Sequence, residues 1–203
     1  MEVPTVRALS QTTIKPGNSK ALNNLLTKYV TDEYVVIDDK SQKFMYYEAN
    51  TGKIFYNPEH ANAAFYDIVK SLTHEIAHLI DFEFGISVSL HREIFEAVEE
   101  AKRILFANRE YYETLLEGTL GENMAVSDLV SAFTDSELLG AFAHDKDYWK
   151  VMGNREREIV AELATIHYLA DKEGLSFIEK FPKVKLLFEE VKKYYERSTE
   201  ITA

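Results

Sequence analysis

His74-Glu75-Ile76-Ala77-His78 sets two imidazoles four positions apart, with a carboxylate directly after the first. On a helix that spacing puts both histidines on one face, one turn apart, where they can share a metal ion, and Glu75 projects beside it. Zinc takes imidazole nitrogen readily, keeps a fourth position for water in catalytic sites, and lowers the pKa of that water to roughly 7. A neighbouring carboxylate then accepts the proton as the water attacks a carbonyl. The five-residue pattern alone would arise by chance in about one or two of every hundred chains this long. Its weight therefore depends on a helix, a third ligand and supporting carboxylates elsewhere.

The surrounding residues predict the helix. Asn57-Pro58 reads as an N-cap followed by proline at the first helical position, and Phe65, Ile68, Val69, Leu72, Ile76, Leu79 and Ile80 recur at helical spacing. Gly85 is the expected terminator. A second helix is expected from Asn154 to near Gly174, and on it Glu158 and Glu162 stand four apart on one face. One of these carboxylates suits the metal, and the other suits the distal nitrogen of a ligand histidine, where it would fix tautomer and ring orientation. His167 lies five positions beyond Glu162 and turns away from that face.

His74-Glu75-Ile76-Ala77-His78-Leu79-Ile80-Asp81 followed by Glu158-Ile159-Val160-Ala161-Glu162 resembles the catalytic domain of the anthrax-lethal-factor-like zinc metallopeptidases, a gluzincin group. The run Val126 to Phe133, together with His144-Asp145-Lys146-Asp147-Tyr148-Trp149, is similar to the metallopeptidase-like domain of phage minor head proteins and related mobile-element proteins. The resemblance spans roughly residues 53 to 195. It implies His74, His78 and Glu158 as zinc ligands, Glu75 as general base, and Asp81 and Glu162 as residues supporting the ligands. The group usually stabilises the oxyanion with a tyrosine shortly before the glutamate ligand. The position seven before Glu158 is Val151, which leaves Tyr148 or His144 to donate that hydrogen bond.

Composition frames the site. The 203 residues carry 46% hydrophobic side chains, enough for a substantial core. With no cysteine, disulfides and thiolate metal sites are excluded, so any metal is held by nitrogen and oxygen. A net charge of -11 disfavours nucleic acid and anionic membranes as partners and suits a peptide or protein substrate, basic ones included. Met1-Glu2-Val3-Pro4 lacks the start of a signal peptide, and no stretch approaches the roughly 20 apolar residues of a membrane span, so a cytoplasmic or virion-associated location is expected.

Residues 1–30 read as an irregular lead-in plus a short helix capped by Asn18, and residues 31–203 as one globular unit. Three β-like runs, Tyr34 to Ile37, Lys43 to Glu48 and Lys53 to Tyr56, form a small sheet ahead of the histidine helix; Lys53 to Tyr56 is the candidate edge that would receive an extended substrate. Beyond Gly85 the pattern is helical: a long helix from Glu93 to Leu116 with Ile94, Phe95, Val98, Ala101, Ile104 and Leu105 inward, a short one from Ser127 to Phe133, a capping box at Ser176 to Glu179, and a restart at Pro182. His60 is expected on the surface in the first turn of the histidine helix, too far along to join the site, and the tail from Ser198 is expected to fray. The fold class expected is α+β and zincin-like, predominantly helical with a small sheet preceding the active-site helix. Zinc-dependent peptide-bond hydrolysis is the expected function. The alternatives are a phage or mobile-element structural module that keeps zinc without turnover, or a toxin or effector peptidase.

Overall fold

The histidine helix starts at Asp67, not at Asn57. The Asp67 carboxylate accepts the amides of Val69 and Lys70 at 2.8 and 3.0 Å, and α3 then runs Ile68–Phe84. Gly85 ends it in the left-handed region at φ 61°, its N–H closing onto the Asp81 carbonyl. Asn57 is occupied elsewhere: its side-chain oxygen accepts from Glu59 N–H and its amide donates to the Ser41 carbonyl. Residues 57–66 therefore form a loop with a single 3-10 turn at Ala63–Phe65, and His60 sits in that loop.

This is a computed structural model that describes residues 5–200, the side chains of residues 65 and 198–200 excepted; of the tail expected to fray from Ser198, residues 198–200 continue the last helix and residues 201–203 lie outside the described residues. The lead-in is helical: Thr5 caps α1 (Val6–Thr13) by accepting Ala8 N–H, and Val6, Leu9 and Thr13 make its buried stripe. Helix α2 (Lys20–Tyr29), capped by Ser19, buries Leu22, Leu25, Leu26 and Tyr29. The apolar side chains of both join one continuous core with the rest of the chain.

Strands β1 (Val35–Ile37), β2 (Met45–Glu48) and β3 (Lys53–Tyr56) form a mixed sheet in the order β1-β3-β2, β1 parallel and β2 antiparallel to β3. The expected edge strand, Lys53 to Tyr56, is thus the central one. The turn at residues 49–52 folds β2 back onto β3, and β1 takes the other side, so both edges of β3 are filled. It is β2 that lies against α3, with an edge that no strand among the described residues pairs.

After α3 follow α4 (Ile86–Ser89), α5 (His91–Ala107), α6 (Arg109–Leu116), α7 (Thr119–Glu122), α8 (Met124–Thr134), a 3-10 turn at Tyr148–Lys150, α9 (Asn154–Leu169), α10 (Lys172–Ile178) and α11 (Pro182–Glu200). The expected long helix breaks at Asn108, whose backbone leaves helical geometry, and Phe95 points outward. Helix α9 ends at Ala170 rather than Gly174, and Asp171, not Ser176, caps α10 by accepting from Glu173 and Gly174 N–H. Gly174 serves packing: a Cβ there would stand 2.7 Å from Cγ1 of Ile166.

Helix α3 packs on α9, α9 on α8, and α11 on α5 and α9. Ile76, Ile80, Ile159, Val160, Leu163, Leu129, Phe133 and Val191 are among the fully buried residues of this helical layer. From α11 the Tyr195 hydroxyl donates to the Ala77 carbonyl at 2.8 Å, in the turn between the two histidines. No helix among the described residues is long and apolar enough to cross a membrane.

Candidate metal centre and active site

Packing α3 against α9 turns two helical i, i+4 pairs toward each other. His74 Nε2 and His78 Nε2 stand 3.0 Å apart, and Glu158 Oε2 lies 3.2 and 3.3 Å from them. Three donors held ~2.0–2.1 Å from one tetrahedral ion are about 3.3–3.4 Å from each other. The observed triangle is close to that size.

Glu158 is 4% exposed, and among the described residues no aligned hydrogen bond reaches its Oε2. A buried carboxylate oxygen aimed at two imidazole nitrogens without an aligned hydrogen bond fits a cation site. The donor set of two nitrogens and one oxygen suits zinc. The residues therefore fit the metal.

The supporting groups divide. Glu162 places Oε1 3.2 Å from His74 Nδ1, within ion-pair reach although not aligned as a hydrogen bond. Asp81 is buried one turn beyond His78, but its Oδ1 accepts Ser87 N–H at 2.6 Å and so starts α4; among the described residues no hydrogen bond joins it to His78. Its carboxylate thus serves as a cap for α4; burial raises its pKa, and the Ser87 hydrogen bond and the nearby His78 work against that rise. Burial works against a charge on His74, but the carboxylates of Glu162 and Glu158 outweigh it and hold the imidazole well above the usual histidine range. Burial likewise disfavours the Glu158 anion, yet the facing His78 and His74 draw its carboxyl well below the usual value.

Glu75, next to His74, accepts the backbone N–H of Tyr47 on β2 at 2.8 Å. Tyr148 enters from the 3-10 turn and donates its phenol to Glu158 Oε1. Burial first, then the Glu158 and other carboxylates, push this phenol above its ordinary value, so it remains a proton donor at neutral pH. Val151, at the position where the resemblance looks for tyrosine, is largely exposed. His144 stacks on Tyr148 with ring centres 3.9 Å apart. Its Nδ1 and backbone N–H both meet Asp128 Oδ1, at 2.7 and 3.0 Å. Burial lowers the His144 pKa, but Asp128 outweighs this and raises it.

Asp128 had no role assigned from sequence. Its signal was present: Ser127, Asp128 and Ser131 interrupt an otherwise apolar helix, and a polar cluster on a fully buried helix needs partners. Asp128, His144 and Glu158 also lie close enough to suggest a second cation group, but Asp128 Oδ1 is already taken by His144 Nδ1 at 2.7 Å. The His74, His78 and Glu158 triangle is the better-formed set.

These groups line a groove of about 640 Å³ bounded by β2, α3, α8 and α9. One end is aromatic: Phe44 stacks on Tyr66 at 4.8 Å, with Phe142 and His60 beside them. His60 thus belongs to the groove wall, through the loop that replaces the expected first helical turn. His91 and His167 pair loosely with Glu156 and Glu196, away from the groove.

The loop carrying His144 depends on a close approach at Gly140. A Cβ there would meet the Gly121 carbonyl oxygen at 2.9 Å and crowd Ser127, whose hydroxyl accepts Phe142 N–H at 3.0 Å. Gly140→Ala is expected to cost about 1–3 kcal/mol through overpacking, a fall in Tm of about 2–12 °C for a chain this size. A thermal melt of the metal-free variant checks it. Compared with known proteins, the chain matches no family model, no curated protein and no solved structure.

Proposed function

We propose that this chain is a zinc-dependent endopeptidase of zincin-like architecture. The observation that carries the proposal is the orphaned Glu158 Oε2 facing His74 Nε2 and His78 Nε2 at tetrahedral spacing. When bound there, zinc would acidify a water and polarise a carbonyl. Glu75 would take the proton from that water and return it to the leaving amine. Tyr148 and His144, stacked at the groove wall, are the donors available to a developing oxyanion. Asp128 holds His144 at the groove wall through its Nδ1 and its backbone N–H. The unpaired edge of β2 offers main-chain groups to an extended peptide.

A second reading draws on one contact. The Tyr148 phenol is engaged with Glu158 Oε1, and if it stays so when substrate arrives, the metal serves folding rather than turnover. Two measurements separate the readings. The purified chain is expected to hold about one zinc and to cleave an unfolded protein, with activity lost to chelator and restored by zinc. Zinc without cleavage supports the structural role, and absence of zinc rejects both.

The charge state of the site adds a pH dependence. His74 has a raised pKa in the metal-free protein, and a ligand imidazole must be neutral, so loading displaces a proton. Apparent zinc affinity is therefore expected to rise about tenfold per pH unit below the raised His74 value and to level off above it. Calorimetric titrations in buffers of different ionisation enthalpy should show about one proton released per zinc near neutral pH.

A further inference from the structure

Strand β2 presents an edge to the groove, and its hydrogen-bond alternation can be read from its ends. Phe44 accepts Asn57 N–H at 2.8 Å and Glu48 accepts Gly52 N–H at 2.9 Å, both on the side of β3. In an antiparallel ladder the N–H and C=O of one residue point the same way and alternate along the strand. The backbone groups of Phe44, Tyr46 and Glu48 therefore face β3, and those of Met45 and Tyr47 face outward. The Tyr47 N–H confirms this alternation, because it reaches Glu75 Oε2 at 2.8 Å.

That contact uses a donor that strand addition would otherwise need. A residue of an added antiparallel peptide lying opposite Tyr47 would give its N–H to the Tyr47 carbonyl and take the Tyr47 N–H with its own carbonyl. Here Glu75 already holds that N–H. The substrate residue at this register keeps one of its two bonds, and its carbonyl is left unclaimed beside Glu75 and the three-donor cluster.

We infer that the backbone amide of Tyr47 is the positioning group for Glu75 and sets the cleavage register, so that the substrate residue opposite Tyr47 supplies the carbonyl that is attacked. The inference rests on the peptidase reading above. In the step it positions, the water oxygen bonds to that carbonyl carbon, the water proton passes to the Glu75 carboxylate, and the same proton reaches the amide nitrogen as the C–N bond breaks. The products are a carboxylic acid and an amine. The general base is thereby tied to the strand that aligns the substrate, so alignment and proton transfer share one reference point.

Three measurements test it. In the metal-free protein, hydrogen exchange of the Tyr47 amide is expected to be about tenfold or more slower than in Glu75→Ala; equal rates would overturn the contact whatever the activity. Tyr47→Pro removes the N–H without deleting a bond to β3, a substitution that an outward-facing edge position tolerates. It is expected to keep its zinc, to lower kcat about 100-fold and to change KM by less than about threefold. Unchanged kcat with full zinc would reject the positioning role.

Because that variant can fail to fold, the register is also read on the wild-type chain with N-methylated peptides. Methylating the N–H of the residue on the acyl side of the cut, which pairs with the Tyr47 carbonyl, should raise KM about tenfold, and methylating the preceding residue, whose N–H faces away, should change it by less than about threefold. The reverse order, or equal effects, would overturn the register. A wild-type chain that cleaves nothing rejects the peptidase reading and with it the register, while the exchange measurement still decides the Tyr47 contact.

Discussion

Glu75→Gln is expected to keep zinc and fold while lowering peptide hydrolysis by about 10²–10⁴-fold, the range over which a positioned general base contributes. The amide has nearly the shape of the carboxylate and retains an oxygen that can accept the Tyr47 N–H, so the groove keeps its geometry. What it loses is the capacity to take a proton. The fall should appear in kcat and kcat/KM together, because the contribution belongs to the transition state. Zinc content by elemental analysis and an unchanged melting temperature complete the test. Retained turnover would exclude Glu75 as the base.

The second large effect concerns the fold. His74→Ala is expected to abolish stoichiometric zinc and also to destabilise the metal-free protein, by about 3–5 kcal/mol, since removing one partner strands a buried charge. The imidazole lies 3.2 Å from both Glu158 Oε2 and Glu162 Oε1, and those residues are only 4% and 6% exposed. For a chain of this size the loss corresponds to a Tm lower by about 6–20 °C. The pH at which it is measured matters.

His74 has a raised folded pKa, so its contribution is fully present below its unfolded value near 6.5 and fades as pH rises through the folded value. Glu158 has a lowered one, so its contribution is present above about 4.5 and is lost in acid. Between pH 4.5 and 6.5 both act, and the difference between wild type and variant in chelator should be largest there. Adding Glu158→Gln to His74→Ala should recover part of the loss, because one stranded charge is then removed. Equal melting temperatures for wild type and His74→Ala in that window would show that the cluster contributes no stability without metal.

Local signals in the chain were legible where a single helix contains them. The i, i+4 histidines, the i, i+4 glutamates, the Gly85 terminator and the three strands all follow from short-range periodicity, and each appears where the residues indicate. Boundaries failed where two residues competed for one role. Asn57 and Asp67 are both good caps, and only the loop contacts of Asn57 with Ser41 and Glu59 decide that Asp67 starts α3. Asp171 likewise starts a helix earlier than the Ser176 capping box indicates and leaves Ser176 inside α10. Phe95 matched a helical stripe yet faces out, since a period of 3.6 defines a face and not which neighbour covers it.

The sequence by itself determined which donors are available: nitrogen and oxygen without thiolates, on helices with an apolar face to anchor them. It could not determine strand order, because Lys53 to Tyr56 pairs with β2 through a local hairpin but with β1 through a long-range contact that leaves no periodic trace. Nor could it show that Asp81 caps α4 while Asp128 holds His144, or that Tyr148 rather than Val151 reaches Glu158. Those are decisions of distance between segments far apart in the chain. Packing α3 against α9, with β2 laid along the groove, turns a pair of helical repeats into a three-donor cluster beside a tethered carboxylate. Burial of the carboxylates, which only the tertiary structure sets, gives that cluster its electrostatic strength.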